Sequence, residues 1–237
     1  MSRCLLVLAL AAVGAFAEEV TLSTSDGWQL PATVCAPGGK APTHRGVILL
    51  HMAGHSRVDW KGVADRLAKD GHAVISLDFR GHGKSKKGAT TPKLKELTDA
   101  DYAAMVEDVR AAADLITSRK ELGVETVCIV GAELGADVAI AFAAGEQKSP
   151  LGPMVLISPS LNNHGLNAAE AIGNVQAKVL FAACKEDKPG FDETTKLFES
   201  KHGKREYERY ATAARGTDIL RKFPELADAI REWVKAP

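Results

Sequence analysis

Continuous apolar runs alternate along the chain with stretches in which apolar residues recur every three or four positions. The continuous runs indicate strands buried on both faces, and they lie at 46–51, 73–78, 125–130, 154–157 and 178–182. The periodic stretches indicate amphipathic helices, and they lie at 58–69, 102–116, 134–144, 191–200 and 223–234. Because strands and helices alternate, the pattern predicts an α/β fold, with a mostly parallel sheet covered by helices on both faces.

The two ends of this pattern supply further strands. Val20–Thr24 and Gln29–Cys35 flank Asp26-Gly27, a pair of residues typical of a tight turn, so an N-terminal antiparallel hairpin is predicted. Arg205–Tyr210 is the predicted last strand. Thr98 is placed to cap the helix at 102–116. In a sheet of this kind, functional groups gather in loops at the carboxyl ends of the strands.

The first 17 residues have the pattern of a secretory signal peptide. Arg3 gives a positive start, Leu5 to Phe16 are all apolar or small, and Ala15-Phe16-Ala17 has the A-x-A form of a cleavage site. We therefore expect cleavage after Ala17, a secreted or periplasmic location, and a single domain over residues 18–237.

Composition and charge narrow the function classes. Apolar residues make up 46% of the chain and charged residues 25%, which are globular values. The 30 basic side chains equal the 30 acidic ones, which argues against a broad electrostatic surface for nucleic acid. No apolar run approaches the roughly 20 residues that span a bilayer. Gly83-Lys84-Ser85 lacks the earlier glycine of a phosphate-binding loop, because Asp78 holds that position. We predict no cofactor and leave the oligomeric state open.

Two stretches carry a resemblance to a known family. They are His51-Met-Ala-Gly-His-Ser-Arg-Val-Asp-Trp60 and Leu67 to Ser85, which ends in Asp78-Phe-Arg-Gly-His-Gly-Lys-Ser85. Together they resemble α/β-hydrolases of the esterase, dienelactone-hydrolase and serine-aminopeptidase-like group. The resemblance extends over nearly all of residues 18–237. It implies the α/β-hydrolase fold and, as the activity of such a family, hydrolysis of carboxylic esters or lactones.

The same resemblance locates the three positions of a Ser-Asp-His triad. The nucleophile of such enzymes lies in G-x-S-x-G, on a sharp turn between a strand and a helix. The matching segment is Gly131-Ala-Glu-Leu-Gly135, so Glu133 stands at the nucleophile position. Asp187 matches the acid position, and Arg215 stands where the family has its histidine. Two of the three triad residues are therefore replaced by residues of different chemistry.

The resemblance also places the oxyanion loop at His51, Met52 and Ala53, with Leu134 directly after the nucleophile position. Backbone amides at these residues form an anion-binding site in such enzymes. If the amides keep that arrangement, the site binds an ester, a carboxylate or a lactone even without turnover.

The replaced residues change what the site is able to do. An arginine stays protonated at biological pH, so Arg215 cannot act as the general base that a serine hydrolase requires. Glu133 lies at a predicted helix N-terminus, which favours its ionised form. We predict that the Arg215 guanidinium bridges the carboxylates of Glu133 and Asp187. The chain is then a non-catalytic member of the family that binds a small molecule or a partner.

The residues leave a second interpretation open, in which the protein is an active hydrolase with an unconventional nucleophile. The candidates are Glu133 itself, Cys184, and the loop serines Ser56 and Ser158. Three histidines and an aspartate are also potential metal ligands, and we favour ordinary structural roles for all four: His51, His55, His82 and Asp59. We therefore predict that the chain holds no metal.

Overall fold

The computed structural model describes residues 17–39 and 42–236, so the predicted signal peptide lies outside the described residues except for Ala17. In these ranges the strands are β1 Ala17–Ser23, β2 Trp28–Cys35, β3 Arg45–Leu50, β4 Ala73–Leu77, β5 Lys86–Lys87, β6 Thr126–Ala132, β7 Leu151–Ile157, β8 Val179–Cys184 and β9 Arg205–Tyr210. The helices are α1 Lys61–Lys69, α2 Asp99–Ala103, α3 Met105–Ser118, α4 Leu134–Ala144, α5 Ala168–Ala171, α6 Lys188–Ser200, α7 Asp218–Lys222 and α8 Glu225–Lys235.

All the strands belong to one mixed sheet. Neighbouring strands follow the order β1-β2-β4-β3-β6-β7-β8-β9, and β5 pairs with β2. The five pairings from β4 to β9 are parallel, while β1 and β2 form the predicted antiparallel hairpin. Gly27 has a φ of 89° at the hairpin turn, a conformation that glycine adopts without steric cost. The α/β architecture predicted from the sequence is confirmed.

Successive residues of the central strands face opposite sides of the sheet and bury their side chains in two separate cores. Ile48, Ile129 and Phe181 pack with α3, α4, α5 and α6 on one side. Their neighbours Val47, Val130 and Leu180 pack with α1, α7 and α8 on the other. Because each fully buried aliphatic side chain contributes roughly 1.5–3 kcal/mol, the sheet is held from both faces, and its strand ends form a rigid platform.

The helix predicted at 102–116 is interrupted at Ala104, which separates α2 from α3. The ψ of Ala104 is −4°, far from the value of about −42° that an α-helix requires. Thr98 caps α2 as predicted. Its Oγ1 accepts a hydrogen bond from the Asp101 amide at 3.3 Å, and the Asp101 carboxylate accepts one from the Thr98 amide at 2.9 Å. The capping box fixes where α2 begins, which places Tyr102 on its buried side.

A buried charge network fixes the loop that follows β4. Arg80 is fully buried, and its guanidinium pairs with Asp108 at 2.6 Å and with Asp26 at 2.8 Å. Burial raises the pKa of Asp108 to about 6, and the adjacent guanidinium opposes that rise. Removing one partner of a buried pair typically costs about 3–5 kcal/mol. The network therefore holds the loop after β4 against α3 and the hairpin turn.

Candidate active site

A sharp turn joins β6 to α4, as the resemblance predicted. Glu133 occupies the turn with φ 49° and ψ −115°, a conformation that is strained for a residue with a side chain. Two glycines allow the turn. A Cβ on Gly131 would lie 2.4 Å from the Gly135 carbonyl oxygen, and a Cβ on Gly135 would lie 2.3 Å from the Leu50 carbonyl oxygen. The backbone therefore has the geometry of a nucleophile turn, although the residue on it is a glutamate.

The carboxylate of Glu133 lies where two backbone amides converge. Its Oε2 accepts hydrogen bonds from the Ala53 amide at 3.0 Å and from the Leu134 amide at 2.7 Å. Ala53 and Leu134 are two of the residues that the resemblance places around the oxyanion. The N-terminus of α4 adds a favourable dipole. The pair of amides that would bind an oxyanion is therefore occupied by the protein's own carboxylate.

The predicted bridge from Arg215 to two carboxylates is only half formed. Arg215 Nη1 donates to Asp187 Oδ2 at 3.3 Å, and Nη2 lies 3.5 Å from Ser160 Oγ. Within the described chain no basic group comes within ion-pairing distance of Glu133, so the prediction of a Glu133–Arg215 pair is wrong. The reason is local: the Glu133 carboxylate is satisfied by amides next to it in space, one of them belonging to the following residue.

Gly190 makes room for the ion pair that does form. A Cβ at this position would lie 2.4 Å from Asp187 Oδ2 and 2.6 Å from Arg215 Nη1. Asp187 lies at the start of α6 and its side chain is 15% exposed, against 31% for Arg215. The pair is thus partly open to solvent, and Arg215, as a permanent cation, cannot act as a general base.

Both ring nitrogens of His51, and both of His82, form hydrogen bonds with backbone groups. His51 Nδ1 donates to the Met52 carbonyl at 2.8 Å, and Nε2 accepts from the Phe79 amide at 3.1 Å. His82 does the same with the Arg80 carbonyl at 3.0 Å and the Gly54 amide at 3.1 Å. Burial lowers the pKa of His51 to about 3 and lowers that of His82 as well. Both rings are neutral anchors of the loops around the site.

His55 Nδ1 lies 2.5 Å from Asp59 Oδ2, and the same carboxylate oxygen accepts a hydrogen bond from Thr217 Oγ1 at 2.7 Å. These contacts join the oxyanion loop to the segment after Arg215. Over residues 17–39 and 42–236, the potential metal-ligating side chains form no group of three or more.

The other candidate nucleophiles are one cysteine and two serines, and their surroundings do not activate them. Cys184 is fully buried, and burial raises the pKa of its thiol to about 11, so the thiol is protonated at neutral pH. Ser158 is also fully buried, and its Oγ accepts a hydrogen bond from the Gly216 amide at 3.2 Å. Ser56 precedes a short 3₁₀ turn at Arg57–Trp60 and makes no side-chain cap hydrogen bond there. Among the described residues, none of these three side chains forms a hydrogen bond with a histidine or a carboxylate.

Asp137 is a buried neighbour of the candidate site that the sequence analysis missed. It is buried on α4 one turn after Glu133, where Oδ1 accepts from the Ser160 amide at 2.7 Å and Oδ2 from Asn163 Nδ2 at 3.1 Å. Burial raises its pKa to about 8. Its i+4 spacing from Glu133 was a signal available in the sequence. The contacts hold the loop after β7 against the turn.

An open cleft of about 600 Å³ lies beside the oxyanion loop. Tyr102 and His164 form one wall, with their rings stacked at 3.9 Å between centroids. Burial raises the pKa of Tyr102, and the charge of nearby Glu133 adds to the rise. The sequence analysis placed Tyr102 in the core and gave no signal for His164. The other residues around the cleft are Gly54, His55, Gly81, His82, Gly83, Lys93, Leu94, Lys95 and Leu97.

Several solved structures have the same architecture as this protein. An esterase from Pyrococcus furiosus superposes with a TM-score of 0.73 at 20% identity, covering 93% of this chain and 92% of its own. An esterase from Exiguobacterium antarcticum gives 0.72 at 14% identity, covering 92% and 100%. A dienelactone hydrolase from Anabaena variabilis gives 0.72 at 18%, covering 92% and 96%. At these identities the likeness shows the fold, which is that of the α/β-hydrolases.

The family is shown by a match over residues 41–229 to the family described as serine aminopeptidase, S33. The chain belongs to this family of the α/β-hydrolase superfamily. No curated protein sequence matches the chain significantly. Membership gives the fold and the positions of the site, whereas the reaction depends on the side chains at those positions. None of the described helices has the length and apolar character needed to cross a membrane.

Proposed function

We propose that this protein is an exported member of the family that does not hydrolyse esters and instead binds a small ligand or a partner at the crevice beside Glu133. One observation carries the proposal: Glu133 Oε2 accepts hydrogen bonds from the Ala53 and Leu134 amides. An ester carbonyl needs those donors to become an oxyanion. With both donors engaged by a carboxylate, the site lacks its main means of stabilising the transition state.

The position of Arg215 supports the same proposal. Acyl transfer needs a group that takes a proton from the nucleophile and returns it to the leaving group. Arg215 is a permanent cation paired with Asp187 at 3.3 Å. His51 and His82 are bonded to the backbone through both ring nitrogens. Neither of these two imidazoles therefore has a free nitrogen to act as a base for a water molecule at Glu133.

Restoration of the triad tests this proposal. Glu133→Ser frees the two amides, and Arg215→His supplies an imidazole next to Asp187. We expect the double variant to hydrolyse p-nitrophenyl acetate at least about tenfold faster than either single variant, because triad members act as a unit. The wild-type protein should give the rate of buffer alone. Wild-type turnover that is lost in Glu133→Ala would contradict the proposal.

The alternative is an active hydrolase that uses Glu133 as a nucleophile, and the strained turn at φ 49° favours it. A carboxylate that attacks an ester forms an anhydride as the ester C–O bond breaks and the alcohol leaves, and water must then cleave the anhydride. Incubation with p-nitrophenyl acetate followed by mass spectrometry of the intact protein distinguishes the two functions. An acetyl adduct at Glu133 during release of p-nitrophenolate supports the alternative, whereas an unmodified mass without release of p-nitrophenolate above the buffer rate supports the non-catalytic function.

Export is a separate part of the proposal and rests on the sequence pattern of residues 1–17. Expression of the full chain in a bacterium with an intact export pathway should give a protein that begins at Glu18. Mass measurement of the purified product checks this. A product that retains Arg3 and stays with the cytoplasmic fraction would contradict export.

A further inference from the structure

The cleft of about 600 Å³ beside the oxyanion loop has a basic lining. Lys93 and Lys95 lie on its wall, and none of the described residues that line it is an aspartate or a glutamate. Both lysines are exposed, and neither ammonium group forms a salt bridge with a carboxylate of the described chain. The cleft therefore carries two positive charges that are not paired with a described carboxylate.

The segment that carries these two lysines is packed against the loop after β4. It contains a short 3₁₀ turn at Leu94–Glu96, and the Glu96 carboxylate accepts a hydrogen bond from the Lys93 amide at 2.7 Å. A Cβ on Gly81 would lie 2.8 Å from a Leu97 methyl carbon and 3.2 Å from the backbone of the turn. Because Gly81 has no side chain, the turn packs directly on the loop. The two lysines therefore extend from a fixed backbone beside the cleft.

Two carboxylates near the cleft are engaged by its histidines and not by its lysines. Asp59 Oδ2 lies 2.5 Å from His55 Nδ1, and Asp99 Oδ1 lies 3.1 Å from His164 Nδ1. Both histidines line the cleft. Nε2 of each ring forms no hydrogen bond with a described residue, so a protonated ring has a donor left for an anion. The carboxylates therefore orient the histidines and leave the lysine charges in place.

One negative charge acts on the cleft from behind its wall. Glu133 is not among the lining residues, but Tyr102 is, and burial together with the charge of Glu133 raises the pKa of Tyr102. An anionic group of a ligand is therefore repelled from the Tyr102 side and attracted to the lysines. Leu94 and Leu97 line the cleft next to the lysines and add apolar surface. The ligand that complements this lining has a negative group and an apolar body.

We propose that the cleft binds small organic anions, in which a carboxylate or phosphate group is joined to an apolar body, and that Lys93 and Lys95 receive the anionic group. This inference rests on the proposed non-catalytic binding function and gives it a ligand class. The geometry that carries it is the pair of lysines on a fixed turn, in a cleft whose described lining holds no carboxylate. Because Glu133 occupies the two backbone amides of the oxyanion loop, the anion is recognised by side chains.

Four ring compounds of similar size test the inference by NMR titration of the backbone amides at neutral pH and low ionic strength: phenyl phosphate, benzoate, benzyl alcohol and benzylamine. We expect the tighter of the two anions to bind at least about tenfold more tightly than benzyl alcohol, because ion pairs with two lysines contribute about that factor. That anion identifies the group as phosphate or carboxylate. Shifts should concentrate at Gly81, Gly83 and Leu94. Binding of benzyl alcohol or benzylamine as tight as that of both anions would overturn the inference, and so would the absence of binding by any probe.

The double variant Lys93→Gln with Lys95→Gln removes both charges and keeps two polar side chains on the same turn. Its affinity for the tighter anion should fall about tenfold, and its affinity for benzyl alcohol should not change. Lys69→Gln with Lys120→Gln is the matched control. It removes two exposed lysines at the end of α1 and in the segment before β6, near the amino ends of β4 and β6, and should bind like the wild type. An equal loss in both double variants would show that overall charge determines binding, which would overturn the inference.

The results separate this inference from the function on which it depends. Lack of preference for the anions, with no turnover of p-nitrophenyl acetate, overturns the ligand class and leaves the non-catalytic function standing. Turnover of that ester by the wild-type protein contradicts the non-catalytic function whatever the probes do. Anion binding that is unchanged in the Lys93 and Lys95 double variant would show that the anion lies elsewhere, and would overturn the assignment to this cleft.

Discussion

The nucleophile end and the acid end of the site are confined by different parts of the molecule. At the nucleophile end, a Cβ added to Gly131 or Gly135 would lie 2.3–2.8 Å from backbone atoms, including the Leu50 and His51 carbonyl oxygens. At the acid end, the atoms nearest to such a Cβ on Gly190 belong to the side chains of Asp187 and Arg215. Backbone in a packed sheet cannot move aside, whereas side chains rotate. The nucleophile end is therefore rigid and the acid end is adjustable.

The charged groups at the two ends are also stabilised in different ways. Glu133 is stabilised by the Ala53 and Leu134 amides, which the fold supplies regardless of which side chain occupies the turn. Arg215 is stabilised by another side chain, Asp187, at 3.3 Å. Opposite charges at two triad positions suggested one shared ion pair, but each charge has its own partner. Complementary charges in a sequence need not face each other when a nearer partner is available.

The largest expected effect is at the rigid end. Gly135→Ala places a Cβ 2.3 Å from the Leu50 carbonyl oxygen, and we expect the free energy of unfolding to fall by about 3 kcal/mol, as for overpacked cores. Urea denaturation measures it. Gly62→Ala on α1 is the control, because a Cβ there meets nothing within 4 Å. It should stabilise by up to about 1 kcal/mol. If Gly135→Ala proved no more destabilising than Gly62→Ala, the nucleophile end would not be the rigid end of the site.

A smaller effect is expected in how the free energy of unfolding depends on pH through His51, which anchors a loop at the nucleophile end. His51 is neutral when folded, since burial lowers its pKa to about 3, but an unfolded imidazole binds a proton below about pH 6.5. The unfolded state therefore binds more protons in this window, and acid favours it. We expect His51 alone to lower the free energy of unfolding by about 2 kcal/mol between pH 7 and 5.

Comparison of wild type and His51→Gln isolates this contribution, because His72 and His82 are present in both. The stability advantage of the wild type should shrink by that amount as the pH falls from 7 to 5. An advantage that stays constant over this range would mean that His51 takes up its proton in the folded chain as it does in the unfolded one, and that the loop anchor is not held as a neutral imidazole.

The smallest effect is expected at the adjustable end. Gly190→Ala puts a Cβ 2.4 Å from Asp187 Oδ2 and 2.6 Å from Arg215 Nη1, so the two side chains separate. The loss of stability should stay below about 1 kcal/mol, because partly exposed ion pairs contribute little. Thermal denaturation measures it, with Gly173→Ala, where a Cβ meets nothing within 4 Å, as the control. A loss as large as that of Gly135→Ala would show that both ends are equally rigid.

The sequence predicted the fold well because the signals were local and repeated. The apolar runs at 46–51 and 125–130 became β3 and β6 within a residue or two, and Thr98 caps α2 as expected. Asp26-Gly27 forms the hairpin turn. The break at Ala104 was not predicted, because apolar periodicity continues through it. Periodicity reports which face is buried, and both helices bury the same face.

The candidate site was predicted in position but not in contacts. The glycines around Glu133 indicated a sharp turn, and the turn is present. The roles of Glu133, Asp187, Arg215 and the oxyanion loop in function stay predictions. Tyr102, Asp137 and His164 were missed as neighbours of the site because they come from α2, α4 and the loop after β7, and only the folded sheet brings those segments together.

The order of buried strands and helices, the hairpin, the sharp turn and the identity of the charged residues were determined by the sequence alone, because each depends on residues close together along the chain. The choice of partner for each charge was decided by the tertiary structure. Ala53 reaches Glu133 across 80 positions of the chain, and Asp187 reaches Arg215 across 28. Such contacts depend on distances of a few ångströms between separate strand ends, which packing sets and residue order does not record.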